Sequence, residues 1–131
     1  LVAALPDCHP LAKQEHVTWS ELAGETFLVR PSGPGPQVHD HILMRLAGRW
    51  PAPTILRLGV ERASLLSMVG QGFGVTLFGA ASSLLPVAGV RFLPIADEPE
   101  PVVFSAVWSP FNQSAALRNL LDLADEMKRP L

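Results

Sequence analysis

Five stretches of this chain carry residues that could do chemistry: Gly70-Gln71-Gly72-Phe73-Gly74, His39-Asp40-His41, Arg30-Pro31-Ser32-Gly33-Pro34-Gly35, Glu61-Arg62 and the single Cys8. The glycine run invites comparison with a phosphate loop. A dinucleotide-binding loop places Gly-x-Gly-x-x-Gly directly after a strand and at the mouth of a helix. Here the order is reversed: the glycines follow a predicted helix, about Ser64 to Gln71, and precede a predicted strand, Gly74 to Phe78. A phosphate would meet carbonyls and the negative end of a helix. The run therefore reads as a turn, with Gly72 the left-handed residue that ends the helix and Gly74 letting the strand start close by. His39 and His41 stand two apart on a predicted helix, so their rings point about 200° from one another and cannot share an ion. His9 and His16 add no ligand spacing, and no metal or other cofactor is expected. Neither Gly-x-Ser-x-Gly nor paired carboxylates occur, and Ser32 has no His partner in sequence, so no catalytic residue is assigned and no enzyme is expected. Cys8 reads as a small apolar residue near a strand end rather than a reactive thiol.

The remaining two stretches suit binding. The loop from Arg30 to Gly35 lies between a strand and a helix, where open α/β sheets place ligands. Pro34 and Pro36 lack N–H groups, which leaves the amides of Ser32, Gly33, Gly35 and Gln37 and the Ser32 hydroxyl as donors. With the positive end of the helix they favour a carboxylate or similar anion. An ordinary Pro/Gly connection would have the same composition. Glu61-Arg62 holds the equivalent place before the next helix: Arg62 can pair with an anion, and Glu61 can cap the helix or select a cationic group. Val60 and Phe78, at neighbouring strand ends, would meet the apolar body of the same ligand.

The elements that must position these residues follow from local pattern. Leu1 to Leu5 is a strand closed by Pro6-Asp7. Thr18-Trp19-Ser20-Glu21 is a capping box opening a short helix that stops at Gly24. Thr26 to Arg30 is a strand, and Pro31 to Pro36 a loop that cannot be helical. Val38, Ile42 and Leu46 recur every four residues on a helix ending near Gly48. Thr54 to Val60 is the next strand. Ala80 to Leu85 is a weak helix, Val90 to Ile95 and Val102 to Trp108 are strands, and Ser114 caps a last helix carrying Leu117, Leu120, Leu121, Ala124 and Met127 on one side. Strands alternating with helices predict an α/β layered fold with a largely parallel sheet.

At 131 residues the chain has the size of one domain, and 48% hydrophobic against 17% charged residues describes a core-rich globular chain. Net charge −2 supplies no basic surface for nucleic acid. One cysteine precludes an internal disulfide and suits a reducing compartment. No apolar run approaches the roughly 18 residues of a membrane span, and no membrane contact is expected. Leu1-Val2-Ala3-Ala4-Leu5 reads as a strand already under way, so the chain is expected to be a piece of something longer.

The segment Ser64-Leu65-Leu66-Ser67-Met68-Val69-Gly70-Gln71-Gly72-Phe73-Gly74-Val75-Thr76-Leu77 resembles a motif of the effector-binding domain of LysR-type transcriptional regulators. His9-Pro10-Leu11-Ala12, Leu22-Ala23-Gly24-Glu25, Gly89-Val90 and Val107-Trp108 match the same family in the same order. Phe78-Gly79 departs from it, standing where the family usually has Leu-Pro. The resemblance covers essentially the whole chain and the second half of that domain. It implies a fold like a type 2 periplasmic binding protein, here one lobe plus the two crossing strands and the C-terminal helix. Residues 1–11 would be the first crossing strand, 12–90 the second lobe, and 91–131 the return strands and C-terminal helix of the first lobe. It further implies a cytoplasmic sensor of a small organic acid or other anionic effector, held by Arg30, Pro31, Ser32, Gly33, Gly35, Val60, Glu61, Arg62 and Phe78. DNA contact would come only through an N-terminal helix-turn-helix absent from this chain, in a homodimer or higher oligomer. The alternative is a free-standing solute-binding lobe of a transport system, because one fold serves many functions.

Overall fold

The computed structural model describes residues 1–128. Along them run β1 (Val2–Pro6), α1 (Trp19–Leu22), β2 (Thr26–Val29), α2 (Gly35–Leu46), β3 (Thr54–Arg57), α3 (Arg62–Gly70), β4 (Thr76–Phe78), β5 (Val90–Pro94) and α4 (Ala115–Lys128). Short 3-10 turns occupy Pro10–Lys13 and Ala80–Leu84. The last residues of the expected return segment, 129–131, lie outside the described residues.

β1 sits between β4 and β5 and is antiparallel to both, with Ala3 opposite Leu77 on one side and Leu93 on the other. β2 and β3 pair in parallel, Thr26 opposite Thr54. The two sheets meet where Val75 bridges Phe27 in parallel. There the Leu28 N–H donates to the Val75 carbonyl and the Val75 N–H to the Thr26 carbonyl, each at 2.8 Å. The combined order is β3-β2-β4-β1-β5, with β1 alone running against the rest. The expectation of a largely parallel sheet is thus corrected at β1, which is antiparallel to both its neighbours. Helical crossovers enforce parallel pairing only from β2 to β4; β1 reaches β2 through turns and the four-residue α1, which is no crossover helix.

The period-2 alternation of strand side chains divides the core in two. Ala3 and Leu5 of β1 and Phe27 and Val29 of β2 face one side, covered by Trp19 and Leu22 of α1 and Ile42 and Leu46 of α2. Ala4 and Leu28 face the other, beneath Leu65, Leu66 and Val69 of α3. Each fully buried Leu or Phe contributes roughly 1.5–3 kcal/mol, which fixes both helices against the sheet.

Two local expectations hold in atomic detail. Thr18 Oγ1 accepts the Glu21 N–H at 3.3 Å, and the Glu21 carboxylate accepts the Thr18 N–H at 2.8 Å, completing the capping box. After α3, Gly72 is left-handed at φ 87°; its N–H reaches the Val69 carbonyl and that of Phe73 the Met68 carbonyl, the paired bonds that close a helix. Gly74 does permit a close approach, to β2: a β-carbon there would lie 2.5 Å from the Thr26 carbonyl oxygen.

Other expectations are revised. α2 begins at Gly35, inside the stretch expected to be non-helical, because a proline such as Pro36 is compatible with a helix's first turn. α3 begins at Arg62 rather than Ser64. β3 stops at Arg57 instead of Val60. Residues 102–108 form no strand: their β-branched and aromatic composition suits one, but among the described residues no neighbouring strand receives their backbone bonds. Ser114 accepts the Leu117 N–H at 3.2 Å and opens α4 as expected. Cys8 is exposed in the turn after β1.

Candidate functional site

Because Val75 bridges Phe27, the carboxyl ends of β2 and β4 lie side by side. Beyond them opens a cleft of about 780 Å3, within the range of small-molecule sites. Val29, Leu77 and Phe78 enter it from the strands, Val38 from α2 and Leu65 from α3. Residues 100–104, downstream of β5, form a further wall, and the Phe104 ring comes close to Gly79 just past β4. The polar groups of the lining come from Arg30, Gln37, His41, Arg62, Thr76, Ser82 and Glu100.

Two of these are permanent cations. Arg62 lies over the Phe78 ring, 4.9 Å from its centroid, a cation–π contact that fixes the guanidinium at the rim. Arg30 sets Nη2 3.4 Å from the carboxylate of Glu61, whose side chain is 87% exposed, so this pair is weakly held. Arg30 Nε is buried without a partner. Thr76 is buried and occupied, its hydroxyl donating to the Leu28 carbonyl at 2.6 Å.

Of the residues expected at the site, Arg30, Gly33, Gly35, Arg62 and Phe78 line the cleft together. Pro31 lines a separate pocket of about 70 Å3 beside His39, Asp40 and Arg57. Ser32 is exposed and outside the lining. Val60 packs against the core beneath α3, because β3 is the outer strand and its end lies away from the junction of β2 and β4. Glu61 precedes α3 without a side-chain capping bond.

The expected set of donors is also narrower. The Gly35 N–H is taken by the Ser32 carbonyl at 3.1 Å, which closes a tight turn. Among the described residues the amides of Ser32, Gly33 and Gln37 make no intramolecular hydrogen bond, and α2 has no side-chain cap. Gly33 and Gln37 border the cleft, so the start of α2 offers it unpaired N–H groups and a positive dipole end.

His39 and His41 diverge. His39 contacts Asp40 and Arg57, at 3.1 and 3.3 Å. His41 turns to Glu98, Nε2 to carboxylate 2.9 Å, while also lining the cleft. Glu98 was not singled out from sequence. Its side chain is 4% exposed and accepts from Trp19 Nε1 at 3.0 Å and from Arg45 Nε and Nη2 at 3.2 and 2.8 Å. It also accepts the Glu100 N–H at 3.3 Å. Burial pushes its carboxyl up, but the bonds from Arg45, His41, the Glu100 amide and Trp19 prevail and lower it to about 2. Glu98 in turn raises the Arg45 guanidinium above its ordinary value. Gln37 and His41 were legible as an i, i+4 pair beside Val38 on one face of α2. Glu98 had no such local signal, since its partners lie far away in the chain.

The LysR substrate binding domain family matches residues 1–129. The uncharacterized HTH-type transcriptional regulator YnfL of Escherichia coli (strain K12) is 32% identical over 120 residues, 91% of this chain and 40% of that protein. The HTH-type transcriptional regulator CatR of Pseudomonas putida is 32% identical over 97 residues, 74% of this chain and 33% of that protein. The chain therefore spans about two fifths or less of these relatives. Solved structures share the fold. The BenM effector binding domain with its effector benzoate has TM-score 0.66 and 19% identity, over 98% of this chain and 62% of that one. The CcmR regulatory domain of Synechocystis PCC6803 in complex with 2-PG has TM-score 0.69 and 14% identity, over 99% of this chain and 63% of that one. With the family matched across nearly its whole length, and its fold shared with solved regulator domains, the chain belongs to the LysR substrate binding domain family.

Proposed function

We propose that this chain is the effector-sensing part of a LysR-type transcriptional regulator and that its effector is a small organic acid or another ligand with an anionic group. The observation that carries the anionic reading is the cleft itself: an apolar interior bordered by Arg30 and Arg62 and by unpaired amides at the start of α2. Benzoate, the effector in one related structure, is a carboxylate, which accords with this chemistry. Residues 1–11 and the segment after residue 90 act as crossings between this second lobe and the first, and a ligand held between lobes shifts the protein towards its closed arrangement by binding that state more tightly. DNA contact belongs to an N-terminal helix-turn-helix outside this chain, whose own net charge is −2. The regulator works in the cytoplasm as a homodimer or larger oligomer, and its role is not catalytic. The family match favours this reading over a transport lobe.

The test is an NMR titration of the chain with benzoate, a short aliphatic dicarboxylate and the corresponding neutral amides. An acid should shift the amides of Gly33, Gln37 and Thr76 to Gly79 in the millimolar range, and its amide should not. Arg62→Ala should weaken the acid's binding roughly tenfold, the loss of one charge-assisted contact. Equal responses to acid and amide, or no response to any acid, would overturn the anionic reading.

A further inference from the structure

The buried carboxylate of Glu98 stands at the meeting point of three elements. Trp19 reaches it from α1, His41 and Arg45 reach it from α2, and its own chain leaves β5 and runs two residues on into the cleft wall. The fixation is dense. Asp97 Oδ1 accepts the Trp19 N–H at 2.9 Å, Arg45 grips Glu98 through both Nε and Nη2, and Glu98 accepts the Glu100 N–H. A two-point Arg–carboxylate contact fixes orientation as well as distance. Residues 100–104, by contrast, are exposed and in no regular element. At their start they are held by Glu98, which accepts the Glu100 N–H, and by Arg45, whose Nη2 lies 3.8 Å from the Glu100 carboxylate; at their end the Phe104 ring comes close to Gly79 but is 85% exposed. His41 belongs to both structures: it bonds Glu98, lies against the Trp19 ring at 5.7 Å between centroids, and lines the cleft.

We propose that Glu98 is a positioning residue for the effector cleft: it anchors residues 100–104 as the cleft's outer wall and, through His41, ties that wall to the lining of α2. An ionised carboxylate only accepts, so Glu98 requires a proton on His41 Nε2 and thereby sets which ring nitrogen serves as donor. A group entering the cleft and engaging His41 acts on the same carboxylate that holds the wall. The idea builds on the effector-cleft reading, and its test needs no ligand, so the two stand or fall separately.

The experiment is 15N relaxation on the chain as it is, with the Trp19 indole resonance assigned through Trp50→Phe and Trp108→Phe. In the parent protein the amides of Glu100 and of Val102, Val103 and Phe104 (Pro101 has none) should show order parameters near the rigid value of about 0.85, and in Glu98→Gln they should fall below about 0.6. The amides of β1, β2 and β4 should stay unchanged, a selectivity that a general loss of stability would not give. The Trp19 indole proton should also move. His41→Phe keeps a ring against Trp19 but removes one donor, and should loosen residues 100–104 with the Trp19 indole bond retained. Unchanged order at 100–104 in Glu98→Gln overturns the proposal. If that variant does not fold, His41→Phe decides: loosening supports the coupling, and an unaltered wall overturns it.

Discussion

At Gly35 a β-carbon would overlap the carbonyl oxygen of Arg30, whereas at Gly33, left-handed at φ 60°, it would meet nothing within 4 Å. The two glycines of one loop are thus needed for different reasons, close approach and backbone conformation. Gly33→Ala should cost about 1–2 kcal/mol, the strain of a left-handed L-residue. Gly35→Ala should reach or exceed the upper end of the roughly 1–3 kcal/mol typical of overpacking, because backbone cannot move aside as a side chain can. Urea midpoints measured at constant slope compare the two directly, and equal losses would contradict this. Glu98 makes a second prediction. Its carboxyl is lowered from 4.5 to about 2 in the folded chain, so its contribution is complete above the unfolded value and is lost as pH falls through the folded one. Stability curves from pH 5 to 2 should therefore fall less steeply for Glu98→Gln than for the parent; identical slopes would show that the network does not hold the charge.

At the scale of elements, what could be read in advance was what neighbours in sequence decide. The capping box at Thr18 and the glycine that ends α3 each depend on atoms within a few residues, and both were legible. Thr18→Ala should accordingly lower stability by about 1 kcal/mol in thermal or urea unfolding, with Thr18→Ser recovering most of it. Arg30, Gly33, Gly35, Arg62 and Phe78 reach the cleft because the ends of β2 and β4 and the start of α3 converge there, as the loop chemistry suggested. Val60 does not border the cleft because strand order is a property of the sheet: nothing near Val60 reveals that β3 is the outer strand. The segment 102–108 failed for a related reason, since composition expresses a preference for extended backbone but does not supply a partner. Glu98 escaped notice as one acidic residue in an acidic, proline-rich turn, its role defined by Trp19, His41 and Arg45 far away in the chain.

On the scale of the whole molecule, apolar side chains are exposed at several places, among them Trp50, Leu84 and Leu85, and many late in the chain. Val103, Phe104, Val107 and Phe111 are each at least 78% exposed, and Leu120 and Met127 of α4 are exposed as well. Patches of this kind recruit partners, so the chain should associate as its concentration rises; a single monomer mass across a wide range in sedimentation equilibrium would refute this. The placement of β1 carries a consequence of another kind. All five of its residues are buried, and both strands that flank it lie beyond residue 75. During synthesis the β2–α2–β3 unit can close on itself while β1 still waits for both its neighbours. Such distant pairings form slowly, because a long loop must close before any contact rewards it. β1, an interior strand of the finished sheet, is then the last to find its place, and until it does, its apolar stretch is open to capture by other chains.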